Sequence, residues 1–178
     1  SLEEPGITTI EDRFYSDGRF TRNQTYYVYN GSKDTLVLST ISLAQFNFCQ
    51  TPQIVDSIQI NGAGAKEIIF FWNCRGETND HGGTYDITEK AQLHKYEVWD
   101  LDAQQLLFEV TTYYVMEYNR FNAYSDPSHA RGSDHYQCDF AIDDAGTITI
   151  SKLRGKSSEL AAKKEGEYVF RYGQYNMV

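Results

Sequence analysis

LHKYEVWDLDAQQLLFEVTTYYVMEYN, Leu93 to Asn119, is the stretch whose reading decides the fold. From Gln105 to Tyr118 its residues alternate. Leu106, Phe108, Val110, Thr112, Tyr114, Met116 and Tyr118 occupy the even positions, while Gln105, Leu107, Glu109, Thr111, Tyr113, Val115 and Glu117 occupy the odd ones. Successive strand side chains point to opposite faces, so the even set can line a core and the odd set meets water in part. β-branched and aromatic types dominate, as a pleated, half-buried surface requires. Apolar residues at three- and four-residue spacing, the mark of a helix, are missing. Lys95 to Trp99 keeps the same parity, and Asp100-Leu101-Asp102-Ala103-Gln104 between the runs has the aspartates that favour turns. The stretch therefore reads as a long β-hairpin. Its second strand far exceeds the usual length of about 5–6 residues, so it is expected to bend, to carry a bulge, or to serve two sheets in turn.

Outward from this hairpin the chain is punctuated as an all-β protein is. Short hairpins are expected at Asp17-Gly18 and Asn30-Gly31, where tight turns need positive φ. Thr25–Tyr29, Thr35–Leu43, Ser57–Ile60, Asp134–Ile142, Thr147–Leu153 and Glu167–Tyr172 read as strands. The alternation of Thr35–Leu43 slips near Ser39-Thr40, which suggests a bulge. Ile68 to Trp72 is a continuous apolar run, consistent with burial on both faces. Gly146 suits the left-handed position of the Asp143–Gly146 loop. Asn73–Ile87 and Arg120–Ser133 read as long irregular loops, and Thr88–Leu93 as a helical turn. Ser157–Gly166 is the best helix: a serine cap, Glu159 in the first turn, Lys163 and Lys164 in the last, Gly166 to close it.

Composition bounds the rest. A chain of 178 residues suits one domain, 1–178, with 1–12 extended. With 40% hydrophobic and 15% aromatic residues there is material for a core. The net charge of −9 and the lack of a basic patch argue against nucleic acid and against anionic membranes. No apolar run approaches the ~20 residues of a membrane helix. The start at Ser1, without Met, reads as a trimmed N-terminus from which a secretion signal could have been removed. Free cysteine is among the most buried residue types, so Cys49, Cys74 and Cys138 read first as packed thiols. Pairing of Cys49 with Cys74, both near strand ends, is the alternative.

Chemistry-bearing motifs are sparse. Asp80 and His81, with Asp86, form a carboxylate–imidazole cluster able to bind metal or act as a base; a solvated loop histidine is the plainer reading. His129, His135 and Cys138 are zinc-competent types, but on a strand His135 and Cys138 face opposite sides. Asp100/Asp102 and Asp143/Asp144 lack the remainder of a calcium loop and read as turn chemistry. No GxSxG, P-loop or GxGxxG is present. Trp99, Tyr113, Tyr124 and Tyr27 are the candidate ligand-binding aromatics, since rings that face outward serve sugar-stacking and protein surfaces. Asn23-Gln24-Thr25 and Asn30-Gly31-Ser32 fit the glycosylation pattern at the frequency expected by chance.

The segment Tyr26 to Phe71, with Tyr-x-Val-x-Asn-Gly-Ser-x-Asp-Thr-Leu-Val-Leu followed by Ser-Ile-Gln-Ile-Asn-Gly-Ala-Gly-Ala-Lys-Glu-Ile, resembles the first sheet of small extracytoplasmic β-sandwich proteins and lipoproteins of bacterial envelopes. That resemblance implies an envelope or secreted location and an Ig-like sandwich, and brings no catalytic residues. The helix before the last strand is similar to that of lipocalin barrels, without their early Gly-x-Trp. The expectation is an all-β antiparallel Ig-like sandwich with one short C-terminal helix, or alternatively a lipocalin-like barrel. Functionally it is a non-enzymatic binding or structural module for a protein or carbohydrate ligand, with no cofactor. The alternatives are a metal-dependent hydrolase built on the 73–87 and 120–133 loops, and a small-molecule carrier.

Overall fold

The computed structural model describes residues 6–16, 19–29, 35–39, 48–62, 64, 66–122, 126–155 and 163–178, with side chains at 49–62, 64, 66–121, 131–155 and 163–178. They form twelve strands and, among the described residues, no helix. β1 (Gly6–Ser16), β2 (Arg19–Tyr29) and β3 (Thr35–Ser39) make a three-stranded antiparallel sheet. The remainder is one open antiparallel sheet. It runs from β12 (Gln174–Met177) through β11 (Gly166–Arg171), β10 (Ile148–Gly155), β9 (Asp126–Ile142), β8 (Gln105–Asn122) and β7 (Tyr85–Asp100) to β6 (Glu67–His81). β4 (Phe48–Cys49) and β5 (Gln53–Ile58) share the outer edge of β6.

The central hairpin is β7–β8, closed by a turn at 101–104 in which Asp100 Oδ1 accepts from the Ala103 amide at 3.0 Å. The expected bulge is there. Register passes from His94↔Tyr113 to Lys95↔Thr111, leaving Thr112 as the extra residue on β8. β7 alternates without interruption, so the bulge moves the even residues of β8 between faces. Phe108 and Val110 lie beside Val98 and Tyr96, whereas Tyr114 and Met116 lie beside Leu93 and Ala91. All four are buried. From Phe108 to Met116 the even apolar residues are thus core, but core on two faces of one sheet.

The sheet folds over on itself. β9 follows β8 only as far inward as Tyr113↔Gln137; beyond that β9 pairs with β10 instead. The ring of Tyr96 on β7 consequently stacks on Phe140 of β9, centroids 4.6 Å apart, although β8 lies between these strands in the sheet order. Phe108 meets Tyr168 of β11 and Tyr175 of β12 edge-on. Ile68, Ile69, Phe70 and Trp72 on β6 are all buried, as the apolar run implies. Each such side chain contributes about 1.5–3 kcal/mol relative to exposure.

Several expectations are corrected. Among the described residues, 73–87 and 120–133 are not loops: 73–81, 85–87, 120–122 and 126–133 are strand, in the outer halves of β6 to β9. The period-two signal is faint in outer β6 because Glu77, Thr78, Asn79 and His81 are exposed on both parities, so polar residues fill both faces there. Thr88–Leu93 is strand rather than helical turn, paired with β6 and β8. The C-terminal helix is not seen. Residues 156–162 lie outside the described residues, and 163–165 lead irregularly into β11 at Gly166. The strand order is that of an open sheet, not of a closed barrel, and the described pairing shows no separate Ig-like pair of sheets. Residues 6–10, expected to be merely extended, are laddered to Thr25–Tyr29. Asp17-Gly18 and the slip at Ser39-Thr40 fall wholly or partly outside the described residues. Cys49 and Cys74 are not thiols: they are direct register partners joined by a disulfide that ties β4 to β6, and Cys138 is free and buried.

Candidate ligand-binding face

Beyond the folded core, β6 to β9 continue as a four-stranded blade. One of its faces carries the odd residues of β6, the even residues of β7 and the odd residues of outer β8 and β9, because register partners share a face. Where this face emerges from the core, aromatic rings form a row across four strands. Phe71 contacts His94 with centroids 5.3 Å apart, His94 contacts Tyr113 at 5.0 Å, and Tyr113 contacts His135 at 6.0 Å. The steps follow the spacing of neighbouring strands, about 4.7–4.9 Å. Phe71 also meets Tyr96, which joins the row to the core stack on Phe140. Phe71, His94 and Tyr113 are half-buried and His135 is exposed.

Next to this row lies a cleft of about 670 Å³ lined by Arg75, Gly76, Glu77, Lys90, Ala91, Gln92, Tyr113, Val115 and Glu117. The register explains the lining: Arg75, Gln92 and Val115 form one cross-strand row, and Glu77, Lys90 and Glu117 the next. Lys90 Nζ stands 4.0 Å from Glu77 Oε1, an exposed pair of little energetic weight. Gln92 Nε2 lies 3.2 Å from His94 Nε2. Burial lowers the pKa of His94, so its imidazole is neutral near pH 7. A second cleft of about 620 Å³ shares Lys90 and Glu117 and extends the surface to Asn119 and Arg131. Gly132 leaves room there for the Tyr118 ring, which a Cβ would strike. The arrangement offers ring faces and edges, neutral amide and imidazole groups, and both charge signs within one groove.

The other candidates are dispersed. Trp99 sits half-buried at the base of β7, packed on the core with its Nε1 buried and lacking a hydrogen-bond acceptor, away from the Tyr113 row. The side chains of Tyr27 and Tyr124 lie outside the described residues. His81 is at the blade tip, where Nδ1 is 2.7 Å from Asp86 Oδ1; both are exposed. Asp80 points to the opposite face by alternation and accepts from Tyr85 Oη at 3.3 Å. His135 pairs in register with Val115, whose β7 partner Gln92 lies six residues from Asp86, roughly 20 Å along the strand at about 3.3 Å per residue. His129 is in β9 with its side chain outside the described residues. Asp80, His81 and His135 are therefore not brought together, and no group of three metal-ligating side chains occurs among the described residues.

Sequence reading singled out Tyr113 but missed its neighbours. Phe71 belongs to the apolar run that reads as core, His135 reads as a zinc-competent type rather than a ring beside Tyr113, and no motif marks His94. The signal that unites them is register, which a single sequence does not disclose until the bulge at Thr112 is located. On the opposite face is a second polar cluster. Lys95 Nζ lies 3.6 Å from Glu97 Oε2 and 3.6 Å from Glu109 Oε2. Glu97 is buried, and desolvation above all, with the facing Glu109, raises its pKa against the pull of Lys95. Near the sheet edge, Glu67 is buried with Oε2 accepting from the Ile60 amide at 2.8 Å. No helix among the described residues is long and apolar enough to cross a membrane. Comparison with protein-family models, with curated proteins and with solved structures finds no match to this chain.

Proposed function

We propose that this chain is a non-enzymatic binding module of the cell envelope or secreted space, and that it holds its ligand on the blade face. The observation that carries the reading is the row Phe71–His94–Tyr113–His135 bordering an open polar cleft. Aromatic side chains supply large contact area at low entropy cost, and amides and charges beside them fix orientation. The dispersal of the imidazoles and carboxylates supports binding over hydrolysis, because catalysis requires such groups convergent at one point. The Cys49–Cys74 disulfide supports an oxidising compartment.

The reading is tested by screening the protein against immobilised glycans and displayed peptides, then repeating the best interaction with Tyr113→Ala and with Tyr172→Ala. Tyr172 is fully exposed on the distant β11–β12 turn. Loss of binding only in Tyr113→Ala is the expected result. Equal binding by both variants moves the site off this face.

A further inference from the structure

The lining of the cleft, together with the direction of the aromatic row, narrows the ligand. We infer that the blade face takes a linear, uncharged glycan running across the strands, along the row from Phe71 toward His135. This rests on the reading of that face as the binding site.

Three observations carry it. First, the row runs across β6, β7, β8 and β9 rather than along one strand, with centroid steps of 5.0–6.0 Å. A linear chain of pyranose rings repeats on that scale and offers an apolar ring face at each step. An extended peptide would instead be captured at a sheet edge through its backbone. Second, the cleft sets Arg75 and Lys90 against Glu77 and Glu117, so its formal charges cancel. His94, the ring next to Tyr113, is neutral near pH 7. Donors and acceptors thus stand side by side, as hydroxyl groups require, with no excess of either sign to hold an ionic group. The chain as a whole carries −9, which repels polyanions at long range. Third, four of the nine residues lining the cleft, Arg75, Glu77, Lys90 and Glu117, are charged, whereas the core of a protein interface is depleted of charge and presents an apolar pocket for an anchor residue.

The test measures binding of two sets of hexasaccharides by titration calorimetry. One is neutral (gluco-, xylo- and mannohexaose) and the other anionic (hexagalacturonate and a hyaluronan hexasaccharide). A peptide library displayed on phage is screened in parallel. The expected result is binding of at least one neutral chain with affinity unaffected by salt. Tyr113→Ala should weaken it at least tenfold, and Gln92→Ala and Glu117→Ala should weaken it about threefold each. The last two positions are exposed, so their variants report on the cleft even if Tyr113→Ala fails to fold. Preference for an anionic chain, with affinity falling as salt rises, would overturn the inferred charge class but leave the binding face intact. A selected peptide whose binding falls in the same variants would overturn the glycan while leaving the face intact. Binding of either class that no cleft variant weakens, or no binding from either set or the library, would overturn both.

Discussion

Glu97 and Glu109 are direct register partners on β7 and β8, and Lys95 Nζ lies 3.6 Å from a carboxylate oxygen of each. Two like charges set opposite each other across a sheet are destabilising unless a cation lies between them. Lys95 is well buried, with 17% of its side chain exposed, and Glu97 has 8%. Removing the ammonium would strand a buried carboxylate. Lys95→Met should cost about 3 kcal/mol in urea unfolding at pH 7. Glu97→Gln, which leaves Lys95 with Glu109, should cost under about 1 kcal/mol.

The same cluster gives a pH dependence of definite sign. Glu97 has its pKa raised by burial above the ordinary 4.5. The unfolded chain therefore releases this proton first as pH rises, and the stability that the protonated group contributes is lost from pH 4.5 upward until the folded pKa is passed. Glu97→Gln should flatten that part of the curve. His94 behaves in the opposite direction. Its pKa is lowered, so the unfolded state takes up the proton first and stability declines as pH falls below 6.5. His94→Gln should remove that decline. Denaturant midpoints at closely spaced pH values for the wild type and the two variants check both signs.

The Cys49–Cys74 bridge spans 25 residues of sequence. Loop-closure entropy for such a span corresponds to about 3.5 kcal/mol. The Cys49→Ala/Cys74→Ala double variant should lose stability on that order. In the native wild-type protein Cys138, buried and with a thiol pKa raised by burial, should be slow to react with alkylating reagents until the chain unfolds. Mass spectrometry after alkylation, with and without denaturant, reads both states.

Gly155 ends β10 at φ +77°, and a Cβ there would run into the backbone carbonyl of His135. Gly155→Ala should destabilise by more than about 1 kcal/mol. It should also perturb the Tyr113–His135 contact, which a chemical-shift change at the His135 ring would report. Gly62→Ala, also at positive φ but with open space around it, isolates the conformational cost alone.

What the sequence made legible followed the strength of its alternation. Phe108, Val110, Tyr114, Met116, Ile148 and Ile150 were readable as core because apolar and polar residues alternate clearly around them. Gly146 was readable because only a left-handed residue closes that turn, and its φ is +81°. The outer part of β6 was not readable, since Glu77, Thr78 and Asn79 are exposed in succession and carry no apolar period, whereas Glu117 belongs to the alternating run of β8. The disulfide was legible only as the alternative to packed thiols, because choosing between them depends on the Cys49↔Cys74 register, not on residue type. Of the binding row, Tyr113 stands out in the sequence as a ligand-binding aromatic and His135 only as a metal-ligating type; Phe71, His94 and His135 become neighbours of Tyr113 only through three strand pairings.

Thr112 has a consequence for how this chain can change. The additional residue acts as a phase shifter: it lets one uninterrupted alternation serve first one side of the sheet and then the other. Deleting it would turn Phe108 and Val110 outward while Tyr114 and Met116 stayed in place, or the reverse. Divergent descendants of this sequence are free to exchange side chains on either flank. They are not free to alter the six-position interval between Phe108 and Tyr114, so spacing rather than identity is what inheritance must preserve here.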